Sequence, residues 1–283
     1  MIIYLGDLFH TWTKGGIWTI PLNIGYVASY TKKKFEEKNI PCEIKLFKDA
    51  NLLLDQIEKK KPDVVGLGFF VWNENLNKFV MDEIKTKYPE ILTIGGGTRF
   101  TNINANIEGA KKFFNKNLNC DLFVCNQGEK GFFNVVEKFV KAKLDVPELK
   151  KDSLPGCLVN KLKEQKKVSL EFCNHDVDVD VGENIGTLDD LNDIPSPYLN
   201  GMLDEFFDDR WMPVLETNRS CPYRCTFCAW GIGTQKLMKF DDERVLDEIE
   251  YISKKCKKSK TLIIADANYG ILERDAVFAK KMY

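Results

Sequence analysis

A chain of 283 residues with 44% hydrophobic, 12% aromatic and 29% charged residues is folded protein longer than one average domain, which excludes a disordered tail or linker. Lys and Arg (41) balance Asp and Glu (42) to a net charge of -1, which excludes a bulk electrostatic pull toward nucleic acid or an anionic membrane. The start MIIYLGDLFHTW lacks a leader pattern and no run of about 18 or more apolar residues occurs, so the sequence reads as a soluble cytoplasmic protein.

Short apolar runs alternate with amphipathic ones over residues 1–145, the βαβα pattern of a parallel sheet covered by helices. Residues 1–5 read as the first strand, 21–38 as a helix, 42–47 as a strand and 51–61 as a helix. The nearly unbroken apolar run 63–71 reads as a buried strand and 75–88 as the next helix. Strand four, 91–94, runs into Gly95, Gly96 and Gly97. Strand five, 121–124, is followed by Gln127, Gly128 and Glu129 and a helix over 131–143. Five such strands make a doubly wound Rossmann-like sandwich, whose ligands sit at the carboxyl ends of the strands, where the three glycines lie.

The pattern weakens over 146–210, which reads as a connecting region with one small hairpin around the GCLVN segment, an acidic stretch near His175 and the Pro-containing IPSPYL. A new α/β pattern starts at 211. Residues 213–217 are strand-like and lead into the cysteines, 241–254 reads as a helix with Asp241 as N-cap, 262–265 as a buried strand and 274–283 as the start of another helix.

Nine cysteines are an odd number in a chain well beyond disulfide-scaffold size, and one cluster is tight: Cys221-Pro-Tyr-Arg-Cys225-Thr-Phe-Cys228, spaced C-x3-C-x2-C. Three thiolates in eight residues can ligate three irons of a [4Fe-4S] cubane and leave the fourth open to a non-protein ligand such as S-adenosylmethionine (SAM). The competing reading is structural zinc, which takes four ligands; the later cysteine, Cys256, lies in a Lys-rich helix end and both histidines lie upstream.

With Phe227 before its third cysteine, this spacing matches the motif of the radical SAM superfamily. ETNRSCPYRCTFCAWG at 216–231, LNDIPSPYL before it and ADANYG at 265–270 resemble the subgroup that carries an N-terminal cobalamin-binding domain. The resemblance implies a partial TIM-type barrel from 211 onward, Phe227 near the adenine and the segment from Asp266 to Asn268 facing SAM. It also implies a corrin held at Gly95, Gly96, Gly97, Gly128 and Glu129, and an electron donor such as flavodoxin or ferredoxin. The cobalt-ligating pattern D-x-H-x-x-G is absent: Asp7-Leu8-Phe9-His10 places the histidine one position too far on, so His10 reads as a loop histidine. The alternative for the first domain is one that has lost the corrin and supports the barrel or binds a partner.

A barrel of this kind takes about six βα units, on the order of 200 residues, and 211–283 has room for two. The sequence is therefore expected to be the N-terminal portion of a longer enzyme. Two readings follow: a radical SAM enzyme that starts radical chemistry, including cobalamin-assisted methyl transfer or rearrangement, on a substrate the sequence does not identify; or a non-catalytic iron–sulfur or corrinoid-binding module acting with a partner.

Overall fold

The structure, a computed structural model, describes residues 1–10, 18–100, 107–161, 177–208, 210–223, 225–228, 236–257, 259 and 261–282. His175, Arg224 and residues 229–231 of the cysteine segment lie outside the described residues. The chain divides into two compact units, Met1–Trp12 with Thr31–Thr187 and Thr13–Tyr30 with Leu188–Tyr283.

Strands and helices alternate along the chain: β1 (Ile2–Gly6), α1 (Leu22–Glu37), β2 (Glu43–Phe47), α2 (Ala50–Lys59), β3 (Val64–Gly68), α3 (Glu74–Lys87), β4 (Leu92–Gly96), α4 (Ile107–Lys116), β5 (Leu122–Val124) and α5 (Gly128–Lys141); of these, the part of α1 up to Tyr30 belongs to the second unit and the rest to the first. A short α6 (Val146–Leu149) leads to β6 (Cys157–Asn160) and β7 (Val179–Val181). The sheet has the order β2-β1-β3-β4-β5-β6-β7. Its first five strands are parallel, in registers such as Ile3↔Val64, Val64↔Leu92 and Ile94↔Leu122. β3 and β4 are buried along nearly their whole length because helices cover both faces, and so they read as continuous apolar runs.

Local chemistry starts the helices. Asp49 caps α2 by accepting from Asn51 N at 2.7 Å and Leu52 N at 3.2 Å, and Leu53 and Ile57, four apart, turn one stripe of α2 into the core. The core centres on Phe113, whose ring lies 5.2 Å from Phe123 and 5.3 Å from Phe69, both edge-on. Truncating such a fully buried ring costs about 3–5 kcal/mol.

The sheet differs from the sequence expectation in four ways. It has seven strands rather than five: β6 and β7, from the expected connecting region, add antiparallel at Val124↔Cys157 and Leu158↔Val181, and so cover the open edge of β5. Gly95 and Gly96 belong to β4, and only Gly97 turns. α5 begins at Gly128, so Gly128 and Glu129 form its first turn. β3 stops at Gly68, and the apolar residues after it form a turn.

In the second unit β8 (Val214–Leu215) pairs parallel with β11 (Ile263–Ile264), and α7 (Asp242–Lys255) runs between them in sequence. Thr19 bridges in parallel to Met212. β9 (Asn218–Arg219) and β10 (Met238–Lys239) form a small antiparallel ladder, and α8 (Glu273–Met282) follows β11. Tyr198, fully buried, donates its hydroxyl to Val214 O at 2.6 Å and ties the Pro-containing segment to β8. The expected beginning of a barrel is, among the described residues, this one parallel pair with its intervening helix.

Candidate functional site

The strand order 2-1-3-4-5 reverses direction between β1 and β3, and a crevice for a ligand opens at the carboxyl ends beside such a switch point. Buried Asn73 joins the two loops there, donating its amide to Leu8 O and Gly68 O, both at 2.9 Å, and accepting Phe70 N at 2.8 Å. The pinned turn leaves Val71 89% and Trp72 64% exposed, with Trp72 stacked on Phe70 at 4.8 Å, so an apolar face stands at the switch point. Beside it Asp7, after β1, pairs with Lys48, after β2, at 3.0 Å with both side chains largely buried. His10 Nε2 lies 3.2 Å from Trp72 O, which makes His10 part of the loop's own structure.

Two of the three glycines that end β4 and begin its turn are dictated by packing within the unit. A Cβ on Gly95 would stand 2.7 Å from the Phe123 ring. Gly97, at φ 118°, would place a Cβ 2.6 Å from Phe69 O. At Gly96 the nearest atom would be Val124 O at 4.0 Å. Asn126, in the left-handed region at φ 58°, ties the turn after β5 to the one after β4 through Phe100 O at 3.1 Å. Gly128 follows this turn and Glu129 is buried in the first turn of α5. Arg99 and Lys116 both pair with Glu74, at 2.7 and 3.1 Å, at the same end of the sheet.

The cysteine loop leaves the second unit from the carboxyl end of β8, and three devices fix its feet. First, the β9–β10 ladder pairs Arg219 with Met238 and Asn218 with Lys239, closing the mouth of the loop. Second, Asp266, just past β11, accepts four hydrogen bonds: Oδ1 from Thr217 N at 2.7 Å and Asn218 N at 3.2 Å, Oδ2 from Thr217 Oγ1 at 2.5 Å and Asn218 Nδ2 at 2.9 Å. Third, Arg274 of α8 donates to Thr217 O at 2.7 Å, Phe240 O at 2.6 Å and Asp242 Oδ1 at 2.6 Å, bridging both feet. Burial pushes the Asp266 carboxyl above its ordinary range, and the hydrogen bonds from Thr217 and Asn218 offset only part of that.

Below the mouth Arg219 Nε holds Glu216 at 3.0 Å while its guanidinium lies 5.1 Å over Tyr26, which stacks on Phe240. Ser220, immediately before the first cysteine, is a non-glycine residue at φ 73°, a conformation that costs of order 1–3 kcal/mol and persists only where surroundings impose it. Cys221 is half-buried and Cys225 and Cys228 are exposed, and none of the three is in a disulfide. Cys228 N donates to Cys225 O at 3.1 Å, so the C-x2-C half is already a turn. Phe227 is 91% exposed. Asn268 reaches back from the loop after β11 to donate Nδ2 to Cys221 Sγ at 2.8 Å.

Among the described residues no group of three or more His, Cys, Asp or Glu is gathered tightly enough to hold a metal. Cys256 caps the end of α7 and donates to Ser259 O at 3.7 Å. The donor set itself, three neighbouring thiols on a loop with anchored feet, fits a cluster that takes three protein ligands. The buried cysteines of the first unit are of another kind. Burial pushes the Cys120 and Cys125 thiols up to about 12, which keeps them protonated.

Of the residues singled out in the sequence, Cys221, Asn268 and Asp266 stand together at the carboxyl ends of β8 and β11, while the glycines and Glu129 line the corresponding end of the sheet in the first unit. Sequence reasoning missed Asn73 and Arg274, because neither sits in a spaced motif; a buried Asn at a strand end and an Arg at a helix start carry no signal until the backbone groups they satisfy are known.

No family model matches the sequence. The chain is 33% identical over 226 residues to the cobalamin-dependent radical SAM methyltransferase TokK of Streptomyces tokunonensis, covering 77% of this chain and 29% of that protein. It is 29% identical over 248 residues to the 2-(S-pantetheinyl)-carbapenam-3-carboxylate methyltransferase of Streptantibioticus cattleyicolor, covering 83% of this chain and 32% of that protein. The chain thus spans about a third of the length of these curated relatives. Among solved structures it is similar in fold to the cobalamin-dependent S-adenosylmethionine radical enzyme OxsB with aqua-cobalamin and S-adenosylmethionine bound, at a TM-score of 0.68 and 19% identity, covering 99% of this chain and 36% of that chain.

Proposed function

We propose that this chain, a member of the radical SAM subgroup that carries an N-terminal cobalamin-binding-type domain, is the cofactor-holding part of an enzyme that cleaves SAM reductively and transfers a methyl group with the help of cobalamin. The observation that carries the proposal is the C-x3-C-x2-C loop at the end of a parallel strand, with both feet anchored by Asp266 and Arg274. A [4Fe-4S] cluster held by three thiolates supplies an electron and an open iron for the amino and carboxylate groups of SAM, and a corrin supplies a methyl carrier.

Cys221, Cys225 and Cys228 would hold the cluster. Exposed Phe227 would cover the adenine, and the segment from Asp266 to Asn268 would form the floor below SAM, with Asp266 acting through Thr217 and Asn218. In the first unit, Val71 and Trp72 offer an apolar face at the switch point for a flat macrocycle. Gly95, Gly96, Gly97, Gly128 and Glu129 would hold its tail, with Gly96, where a Cβ would meet nothing closer than Val124 O at 4.0 Å, leaving the closest approach to backbone. The first strand pair β8–β11 would be the start of a partial TIM-type barrel, and the electron would come from a flavodoxin- or ferredoxin-like donor.

The test is product formation. The full-length protein, reconstituted anaerobically with iron and sulfide and given SAM and dithionite, is expected to release 5′-deoxyadenosine and methionine, and Cys225→Ala to release neither. An intact cluster that leaves SAM uncleaved would replace this proposal with a non-catalytic iron–sulfur or corrinoid-binding module.

A further inference from the structure

We infer that Asn268 is a positioning residue for the iron–sulfur centre, setting its reduction potential by donating a hydrogen bond to the sulfur of Cys221. The inference rests on the function proposed above and deepens it: it assigns Asn268 to the cluster's ligand sphere.

Three observations carry it. The Asn268 amide donates Nδ2–H to Cys221 Sγ at 2.8 Å across 47 residues of sequence. The segment bearing it is fixed on both sides by carboxylates. Asp266 is locked to Thr217 and Asn218, while Asp275, itself buried, accepts Gly270 N at 2.8 Å and Leu272 N at 3.1 Å, and its backbone oxygen accepts the Tyr269 hydroxyl at 3.0 Å. The backbone that carries the amide is therefore held on both sides of Asn268. The strained residue Ser220, at φ 73°, immediately precedes Cys221.

The chemistry follows from the atoms. A thiolate ligand carries negative charge that only a donor can stabilise; an amide offers two N–H groups, and a carboxylate at the same position offers none. Reduction adds one electron to the cluster, so an N–H directed at a ligand sulfur favours the reduced form and raises the potential. Because SAM cleavage needs the reduced form, Asn268 would decide how much of the enzyme an intracellular donor can prime.

The test is a redox titration of the reconstituted full-length protein without SAM, followed by electron paramagnetic resonance, for wild type, Asn268→Gln, Asn268→Ala and Asn268→Asp. At the wild-type midpoint, the reduced-to-oxidised ratio of Asn268→Ala is expected to fall about tenfold, about 59 mV for a one-electron couple. Asn268→Asp is expected to fall further and Asn268→Gln, which keeps a donor, to stay near wild type. Loss of the cluster from Asn268→Ala and Asn268→Asp but not from Asn268→Gln would also support the required donor. Equal midpoints in all four proteins, or cluster loss from all three variants alike, would overturn the inference. A wild-type protein that takes up no cluster would instead overturn the proposed function.

Discussion

In the sheet unit Thr93 gives its backbone N–H to Asp121 at 3.0 Å and its hydroxyl to Asn119 O at 2.6 Å; in the cysteine unit Thr217 gives both its backbone N–H and its hydroxyl to Asp266. Both aspartates accept the backbone N–H of a threonine one strand away, and their surroundings differ. Asp121 lies at the amino ends of β4 and β5, with Lys85 at 2.5 Å and Lys150 at 3.3 Å. Burial alone would push its carboxyl up, but the two lysines overrule it and hold it below the ordinary range. Asp266 receives its hydrogen bonds from neutral groups and stays above that range. A related contrast separates Cys120 and Cys125, buried and raised in the sheet unit, from the loop cysteines, which are half-buried or exposed. A brace that only stabilises can be fully neutralised, whereas the brace under the cysteine loop works with uncharged donors where an anionic centre is expected.

Breaking the first brace should have the largest effect. Lys85→Met removes one of the two charges that compensate a buried carboxylate and is expected to cost about 3–5 kcal/mol of stability, read from the urea midpoint. An undiminished midpoint would mean that Lys150 and Thr93 suffice and that the contrast between the units is overstated. Gly97→Ala should come next, at about 1–3 kcal/mol, because the new Cβ meets Phe69 O in a left-handed backbone. Since this cost arises within the sheet unit, cluster content should stay at the wild-type level, which iron analysis of the purified variant checks.

The smallest effect is a pH slope, opposite in sign at the two aspartates. Asp121, lowered in the fold, contributes stability that is present above its unfolded value and lost as pH falls through its folded value. Asp266, raised in the fold, binds its proton more tightly folded than unfolded, so its contribution falls as pH rises from its unfolded value through the raised one. Asp266→Asn should therefore flatten the decline of stability above the ordinary carboxylate range, and Asp121→Asn should flatten the loss on the acid side. Thermal melts over a pH series separate the two; parallel changes in both variants would remove the contrast.

The order of the first five strands was legible because buried parallel strands are apolar throughout and their helices carry stripes at helical spacing. The ends of elements were not. The run 63–71 is apolar both where β3 is buried and where Val71 and Trp72 turn outward, and composition alone cannot separate a strand from an exposed apolar turn. The bounds of α4 were not anticipated: ten residues long with Gly109 inside, it buries only Ala110, Phe113 and Phe114. β6 and β7 join the sheet through long-range pairing that no local signal encodes. The cysteine spacing announced the loop, and its resemblance named Asp266 and Asn268. That Asp266 is spent on holding Thr217 and Asn218, while Asn268 reaches the sulfur, depends on distances that only the fold supplies.

The most direct measurement of the central claim is electron paramagnetic resonance of the reduced, reconstituted full-length protein with and without SAM. The account predicts a [4Fe-4S]+ signal that changes when SAM is added, because one iron has no protein ligand. Stoichiometric zinc without a cluster, or a cluster signal indifferent to SAM, would contradict it.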